Sequence, residues 1–192
     1  MTAAAPVLAT RLVTRSKAWA LVGVVGFAAL TTLAAQFSFR IPPIEVPFTL
    51  QTAAVLLSGG VLGAKLGLAS QLLYVAAGAI GLPVFAEASG GVEVLAGATG
   101  GYLVGFVIAS YVTGRLAERR HDRKVLSGFA AFLIGSLLIY AFGVLGLMLN
   151  LDMDLGAAIA NGVVPFVFWD VLKALAAGLV LPAAWKLSGD PA

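Results

Sequence analysis

The chain has 192 residues, 60% of them hydrophobic and 11% charged, with a formal net charge of +3. Soluble domains carry about 25% charged residues, so this composition excludes an ordinary soluble protein and describes an integral membrane one. There is no cysteine, which excludes disulfides and thiol chemistry, and the single histidine, His121, reads as a solvated residue of a basic loop rather than a metal ligand.

Residues 1–17 are Ala-rich and then basic, with Arg11, Arg15 and Lys17 ahead of an apolar run from about Ala18 to Phe37. That order also fits a secretory signal. The run is too long for one, however, and Leu33 spoils the cleavage pattern at Leu33-Ala34-Ala35, so it reads as an uncleaved first membrane helix. Arg40 to Pro47 holds Pro42, Pro43 and Pro47 and is a polar connector that cannot be helical throughout. Phe48 to Ile80 is apolar apart from Gln51, Lys65, Gln71 and a few hydroxyls. As one helix it would extend about 50 Å against a hydrocarbon core of roughly 30 Å, so two short spans turning near Gly63-Ala64-Lys65 are expected.

Gly81 to Ala98 is rich in Gly and too apolar for a solvated loop, which predicts a lid or re-entrant segment packed onto the protein. A fourth span is predicted from Thr99 to Leu116. Gly97, Gly101, Gly105 and Ala109 form a ridge of small residues at four-residue spacing, as do Gly59, Gly63 and Gly67. Such ridges let helix backbones approach closely in lipid. A fifth span runs from about Val125 to Leu149. The acidic turn Asn150 to Asp154 follows and lacks the ligand set of a calcium loop. The sixth begins near Ala160, with Pro165 in its first turn, where a missing N–H is tolerated.

Basic residues favour the cytoplasmic side of membrane proteins. Six spans place the N-terminal segment, Lys65, Arg115–Lys124 and Lys186 inside, ten of the 12 Lys and Arg side chains, with Arg40 outside and Lys173 in the membrane. Five spans would move the Arg115–Lys124 loop and Lys186 outside. The expectation is an all-α integral membrane protein of six transmembrane helices with both termini cytoplasmic. Its parts are a segment 1–17, a single membrane domain 18–187 and a tail 188–192, with the apolar Gly-rich loop extracellular between helices 3 and 4.

The last span carries Asp170 and Lys173. At i, i+3 they share a helix face, and ionisable groups at this depth are costly enough to point to a bundle interior or a cavity. No P-loop, dinucleotide fingerprint, zinc-protease or nucleophile-elbow motif occurs, and Asp170 is the one carboxylate within a span. Recognition or transport is therefore expected, not catalysis. Three readings stay open on the residues alone: a binding subunit, an autonomous small-solute channel or carrier with Asp170 as proton or ligand site, and a scaffold in which the pair only fixes helix register.

Val46-Pro47-Phe48-Thr49-Leu50-Gln51-Thr52, the stretch from Gln71 to Phe85 ending Gly81-Leu82-Pro83-Val84-Phe85, Gly97 to Phe106, and Asp170-Val171-Leu172-Lys173 together resemble the BioY family. These are biotin-binding substrate-capture subunits (S components) of energy-coupling factor (ECF) transporters. The resemblance implies a six-helix bundle in a bacterial plasma membrane with an outward-facing biotin pocket and no cofactor of its own. ATP would be hydrolysed by partner ATPase subunits, acting through a transmembrane coupling subunit. It implies that Asp170 and Lys173 hold biotin, and it makes Gln51, Tyr74, Phe85 and Tyr102 candidate contacts, with Phe48 and Glu87 beside them. Phe48, Tyr74, Phe85 and Trp169 are candidate aromatic walls. S components also tend to dock the coupling subunit through A-x-x-x-A in the first helix. The nearest matches here are Ala28-x-x-x-Thr32 and Thr31-x-x-x-Ala35.

Overall fold

The computed structural model describes residues 7–9 and 16–188. Arg11, Arg15 and the tail from 189 lie outside the described residues, as does most of the expected N-terminal segment. Helix α1 (Lys17–Gln36) starts on Ser16, whose hydroxyl accepts from Trp19 N, an N-cap that satisfies one of the free first-turn donors. The polar connector is bracketed by an antiparallel pair of two-residue strands, β1 (Ser38–Phe39) and β2 (Phe48–Thr49). Strands this short carry no alternating pattern, and the sequence offers no sign of them.

The run after β2 divides as expected into α2 (Gln51–Leu62) and α3 (Ala64–Ala79). The break is Gly63, at φ +83°, a conformation that costs glycine little and other residues more. The freed N-terminus of α3 is capped from across the bundle, with Ala64 N donating to Glu118 Oε1 at 2.9 Å. A loop containing a 3-10 turn (Ala86–Ala88) and the short α4 (Val92–Leu95) leads to α5 (Gly100–Ala117), and α6 (Val125–Asn150) follows. The last apolar stretch is two helices rather than one, α7 (Leu155–Gly162) and α8 (Val164–Leu187). A continuous helix would need Pro165 to donate to Asn161 O, and proline has no N–H; Pro165 instead sits in the first turn of α8.

By length and composition α1, α6 and α8 are apolar enough to cross a membrane, and α2 is a shorter apolar helix. Their outward faces carry exposed leucines such as Leu21, Leu33, Leu137, Leu149 and Leu179, a surface suited to lipid. Inward faces are small. A side chain at Gly114 would meet Ala64 N at 2.4 Å, one at Gly67 would meet Gly59 Cα at 2.8 Å, and one at Gly101 would meet Gly146 Cα at 2.8 Å. The expected ridges thus set Gly101 and Gly105 of α5 against α6, Gly59 of α2 against α5 and Gly67 of α3 against α2, while Gly114, outside those ridges, brings α5 against α3. Gly97 and Gly63 stand outside the helices, in a loop and a turn.

Gln71 ties α1 to this core. Its fully buried Nε2 lies 3.2 Å from Thr31 Oγ1, 3.2 Å from Ser58 Oγ and 3.3 Å from Ser70 Oγ. Ala28, Thr31 and Ala35 are buried against the chain's own bundle, so their face of α1 is already occupied; only Thr32 of the four is partly exposed. The loop between α5 and α6 is also less solvated than its charges suggest. Asp122 and Arg123 are buried, Trp185 Nε1 donates to Asp122 Oδ2, and the Arg123 guanidinium lies 4.1 Å from the Trp185 ring centre. Burial raises the Asp122 carboxyl above its ordinary range, against the lowering effect of the Trp185 hydrogen bond.

The close approach of α5 to α3 is testable. Gly114→Ala forces backbone apart and is expected to cost about 1–3 kcal/mol, read as a lower melting temperature in detergent. Gly26→Ala, where an added methyl meets nothing within 4 Å, is the matched control and is expected to leave melting unchanged. Equal melting of both variants would refute the packing described.

Candidate functional site

The chain encloses a cavity of about 350 Å³, within the range of small-molecule sites. It lies where α8, the connector between β1 and β2, the start of α2 and the loop 81–98 converge. Asp170, buried, and Lys173, partly buried, stand one turn apart on α8 and line it. Asp170 Oδ1 accepts from Lys173 Nζ at 2.8 Å and from Thr52 Oγ1 at 2.9 Å, and Oδ2 accepts from Tyr140 OH at 2.6 Å. Lys173 Nζ also donates to Thr49 O at 2.8 Å and Thr52 Oγ1 at 3.0 Å, so its three protons all have acceptors. Thr49 sits at the end of β2, just before α2 begins, and the hairpin thereby turns a backbone carbonyl towards the ammonium. The result is a charge-balanced floor that takes no net charge into the bundle.

Gln51 opens α2 and lines the cavity. Its Nε2 lies 2.7 Å from Tyr74 OH. Gln51 Oε1 accepts no hydrogen bond among the described residues, and the residue lines the cavity. Tyr74 itself is buried behind Gln51 and meets Phe85 edge-on at 5.5 Å. The Phe85 ring covers Gly78, where a methyl would fall within 2.4 Å of three ring atoms. Tyr102 donates to Gly162 O at 2.7 Å and so fixes α5 to the break between α7 and α8.

Asp170, Lys173, Gln51, Phe85, Tyr102 and Glu87 therefore all line one cavity. Tyr74 and Phe48 stand behind it. Phe48 stacks on Phe39 at 5.0 Å and packs on Phe166 at 4.4 Å, and Phe166 is the ring that reaches the cavity. Trp169 is not a wall: 52% exposed, it faces outward beside Phe168, because one residue along a helix turns the side chain by about 100° from Asp170. Glu87 lies shallow and accepts from Arg40 Nε at 2.7 Å.

Thr49, Thr52, Tyr140 and Arg40 are site residues that sequence reasoning passed over. The two threonines sit inside the V-P-F-T-x-Q-T stretch, so their signal was present. Tyr140 lies in the most apolar helix, where a phenol needs a polar partner. The loop 81–98, expected to pack onto the protein, contributes Phe85, Glu87, Ser89, Val94 and Gly97 to the cavity. Among the described residues no cluster of His, Cys, Asp or Glu converges to hold a metal. Donors, acceptors and aromatic walls surrounding a balanced ion pair are equipment for holding a polar, ring-bearing molecule.

The BioY family model matches residues 7–190. The biotin transporter BioY of Thermotoga maritima is 44% identical over 163 residues, covering 84% of this chain and 92% of that protein. The probable biotin transporter BioY of Pyrococcus horikoshii is 41% identical, covering 85% and 93%. The biotin transporter BioY of Rhodobacter capsulatus is 37% identical, covering 83% and 90%. In fold, the chain is similar to the crystal structure of the S-component for biotin from an ECF-type ABC transporter, with a TM-score of 0.82 and 23% identity over 91% of this chain and 94% of that one.

Proposed function

The chain belongs to the BioY family, and on that premise we propose that it captures biotin in the cavity floored by Asp170 and Lys173. It is a multi-pass membrane protein of biotin uptake, a transport protein and not an enzyme. As an S component it would work with a transmembrane coupling subunit and cytoplasmic ATPase subunits, which hydrolyse the ATP. The observation that carries the binding reading is the hydrogen-bonded Asp170–Lys173 pair lining an aromatic-walled cavity, in which Asp170 Oδ2 accepts one bond and can take another.

Biotin offers a ureido ring with two N–H donors and one carbonyl, an apolar bicycle with a thioether, and a carboxylate tail. The ureido ring complements the floor. Asp170 and Gln51 Oε1 accept its N–H groups, and Lys173 exchanges a hydrogen bond to Thr49 O or Thr52 Oγ1 for one to the ureido carbonyl. Phe85, Tyr102 and Phe166 supply walls for the bicycle, while Tyr74 orients Gln51 and Phe48 backs Phe166. A neutral head in this place leaves the balanced pair balanced, which a charged group would not.

The proposed topology has six spans, α1, α2, α3, α5, α6 and α8, with both termini cytoplasmic and residues 18–187 as one domain. The positive-inside bias supports it. So does the alternation of connectors: those after α1, α3 and α6 all contribute to the cavity, whereas the α2–α3 turn and the α5–α6 loop meet through Ala64 N and Glu118. The pocket then opens outward. At about 18 Å, α2 is shorter than the hydrocarbon core, and the cavity end of the bundle begins where it stops.

Two measurements test these proposals. Losing one partner of a buried charged hydrogen bond costs about 2–5 kcal/mol in binding, so Asp170→Asn and Lys173→Ala are each expected to weaken biotin affinity by roughly 30- to 4000-fold on the monodisperse fraction. Wild-type affinity in both well-folded variants would remove the pair from the pocket. In intact cells an impermeant thiol reagent is expected to label Asp152→Cys and not Arg119→Cys; the opposite pattern would sink the six-span arrangement.

A further inference from the structure

At the other end of the bundle from the cavity stands a cluster of cations that the binding site does not use. Lys65 in the first turn of α3, Arg115 in the last turn of α5, and Arg119, Arg120 and Lys124 in the following loop are all exposed. The acidic residues of this loop are turned inward and engaged. Glu118 accepts from Ala64 N and, at 2.8 Å, from Arg115 Nη1, while Asp122 is buried against Trp185. Arg119, Arg120 and Lys124 form no ion pair among the described residues. The loop is also a fixed turn. Arg120 N donates to Ala117 O at 2.8 Å and His121 N to Leu116 O at 3.1 Å, the two bonds of a Schellman cap, with Arg120 at φ +67°. Glycine is usual at that left-handed position, and arginine there carries strain that glycine avoids. Asp122 and Arg123 then clamp onto Trp185 of α8, so the turn presents Arg119, Arg120 and Lys124 outward from a fixed base.

Lipid-facing surface leads directly into this cluster. Val104, Tyr111 and Arg115 of α5 and Arg119 of the turn are exposed at spacings of seven, four and four, so one helix face passes from apolar to aromatic to cationic. On the other side of the loop, Val125 and Leu126 open α6 with exposed side chains, Leu126 at 80%. That gradient is the profile of a membrane–water interface, the level at which phospholipid phosphates stand. An acidic protein segment would need the cations but not the apolar flanks. We propose that the α5–α6 loop binds the headgroup of an anionic phospholipid, with Arg119, Arg120 and Lys124 on the phosphate and the flanking apolar surfaces beside the acyl chains. Guanidinium N–H groups match phosphate oxygens in geometry as well as charge. None of these residues lines the cavity, so the inference stands apart from the biotin reading.

Spin-labelled phosphatidylglycerol and spin-labelled phosphatidylcholine, each at trace level in phosphatidylcholine vesicles holding the purified chain, report how much of each lipid the protein immobilises. One cation near an anionic surface is worth about fivefold in association, so the wild type is expected to favour the phosphatidylglycerol probe at least about fivefold at low salt. Because the cations are exposed, about 0.5 M salt is expected to remove most of that preference. Replacing all three, Arg119→Gln, Arg120→Gln and Lys124→Gln, is expected to bring the two probes to parity while leaving the melting temperature unchanged. The salt series needs no variant and decides the question if the triple variant does not fold. Equal probes in the wild type, or a preference that persists at high salt or in the folded triple variant, overturns the proposal. Retention of a poly-glutamate peptide by a wild type that does not distinguish the two lipids assigns the cations to an acidic protein partner, and likewise overturns it.

Discussion

A carboxylate inside a membrane bundle must be supplied with donors, and the arrangement of this protein around its cavity follows from supplying Asp170. Three donors reach it, from three elements: Lys173 on α8 itself, Thr52 on α2 and Tyr140 on α6. Each bond to a charged group contributes about 1.5–3 kcal/mol, and leaving any of them out strands charge in a low-dielectric site. The requirement fixes which faces of α2 and α6 turn towards α8. It also explains the placement of β2, since the fourth polar partner of the cluster, Thr49 O, is available to Lys173 only where the chain is not yet helical.

The same cluster bears on how the site works. Lys173 and Asp170 together bring no net charge, and the hydroxyls between them let one bond be exchanged for another without exposing either ion. Such a floor favours a neutral polar ring over an ion. The pair is not a mere register pin: it lines a cavity together with Gln51, Tyr102 and Phe85, side chains that a pin does not require.

Much of the helical plan was legible because lipid imposes simple demands. Apolar length marks α1, α6 and α8, the excess length of Phe48 to Ile80 demands the break at Gly63, and small residues at four-residue spacing mark where α5 approaches its neighbours. What escaped depends on features that composition does not encode. The β1–β2 pair is too short for a pattern, the α7–α8 break hangs on one missing N–H at Pro165, and the outward direction of Trp169 depends on the rotation of α8. The inward direction of Thr31 depends on its contact with Gln71, a residue 40 positions away. Asp170, Lys173 and Gln51 were legible as rare polar groups in apolar runs. Thr52 and Tyr140 became site residues only once the helices that carry them were packed together.

The central claim is that this chain by itself holds biotin in the cavity above Asp170 and Lys173. Calorimetric titration of biotin into the detergent-purified chain, with no ATP and no partner subunit present, tests it most directly. The account predicts saturable one-to-one binding. A titration without saturable heat, on protein shown to be monodisperse, would contradict it.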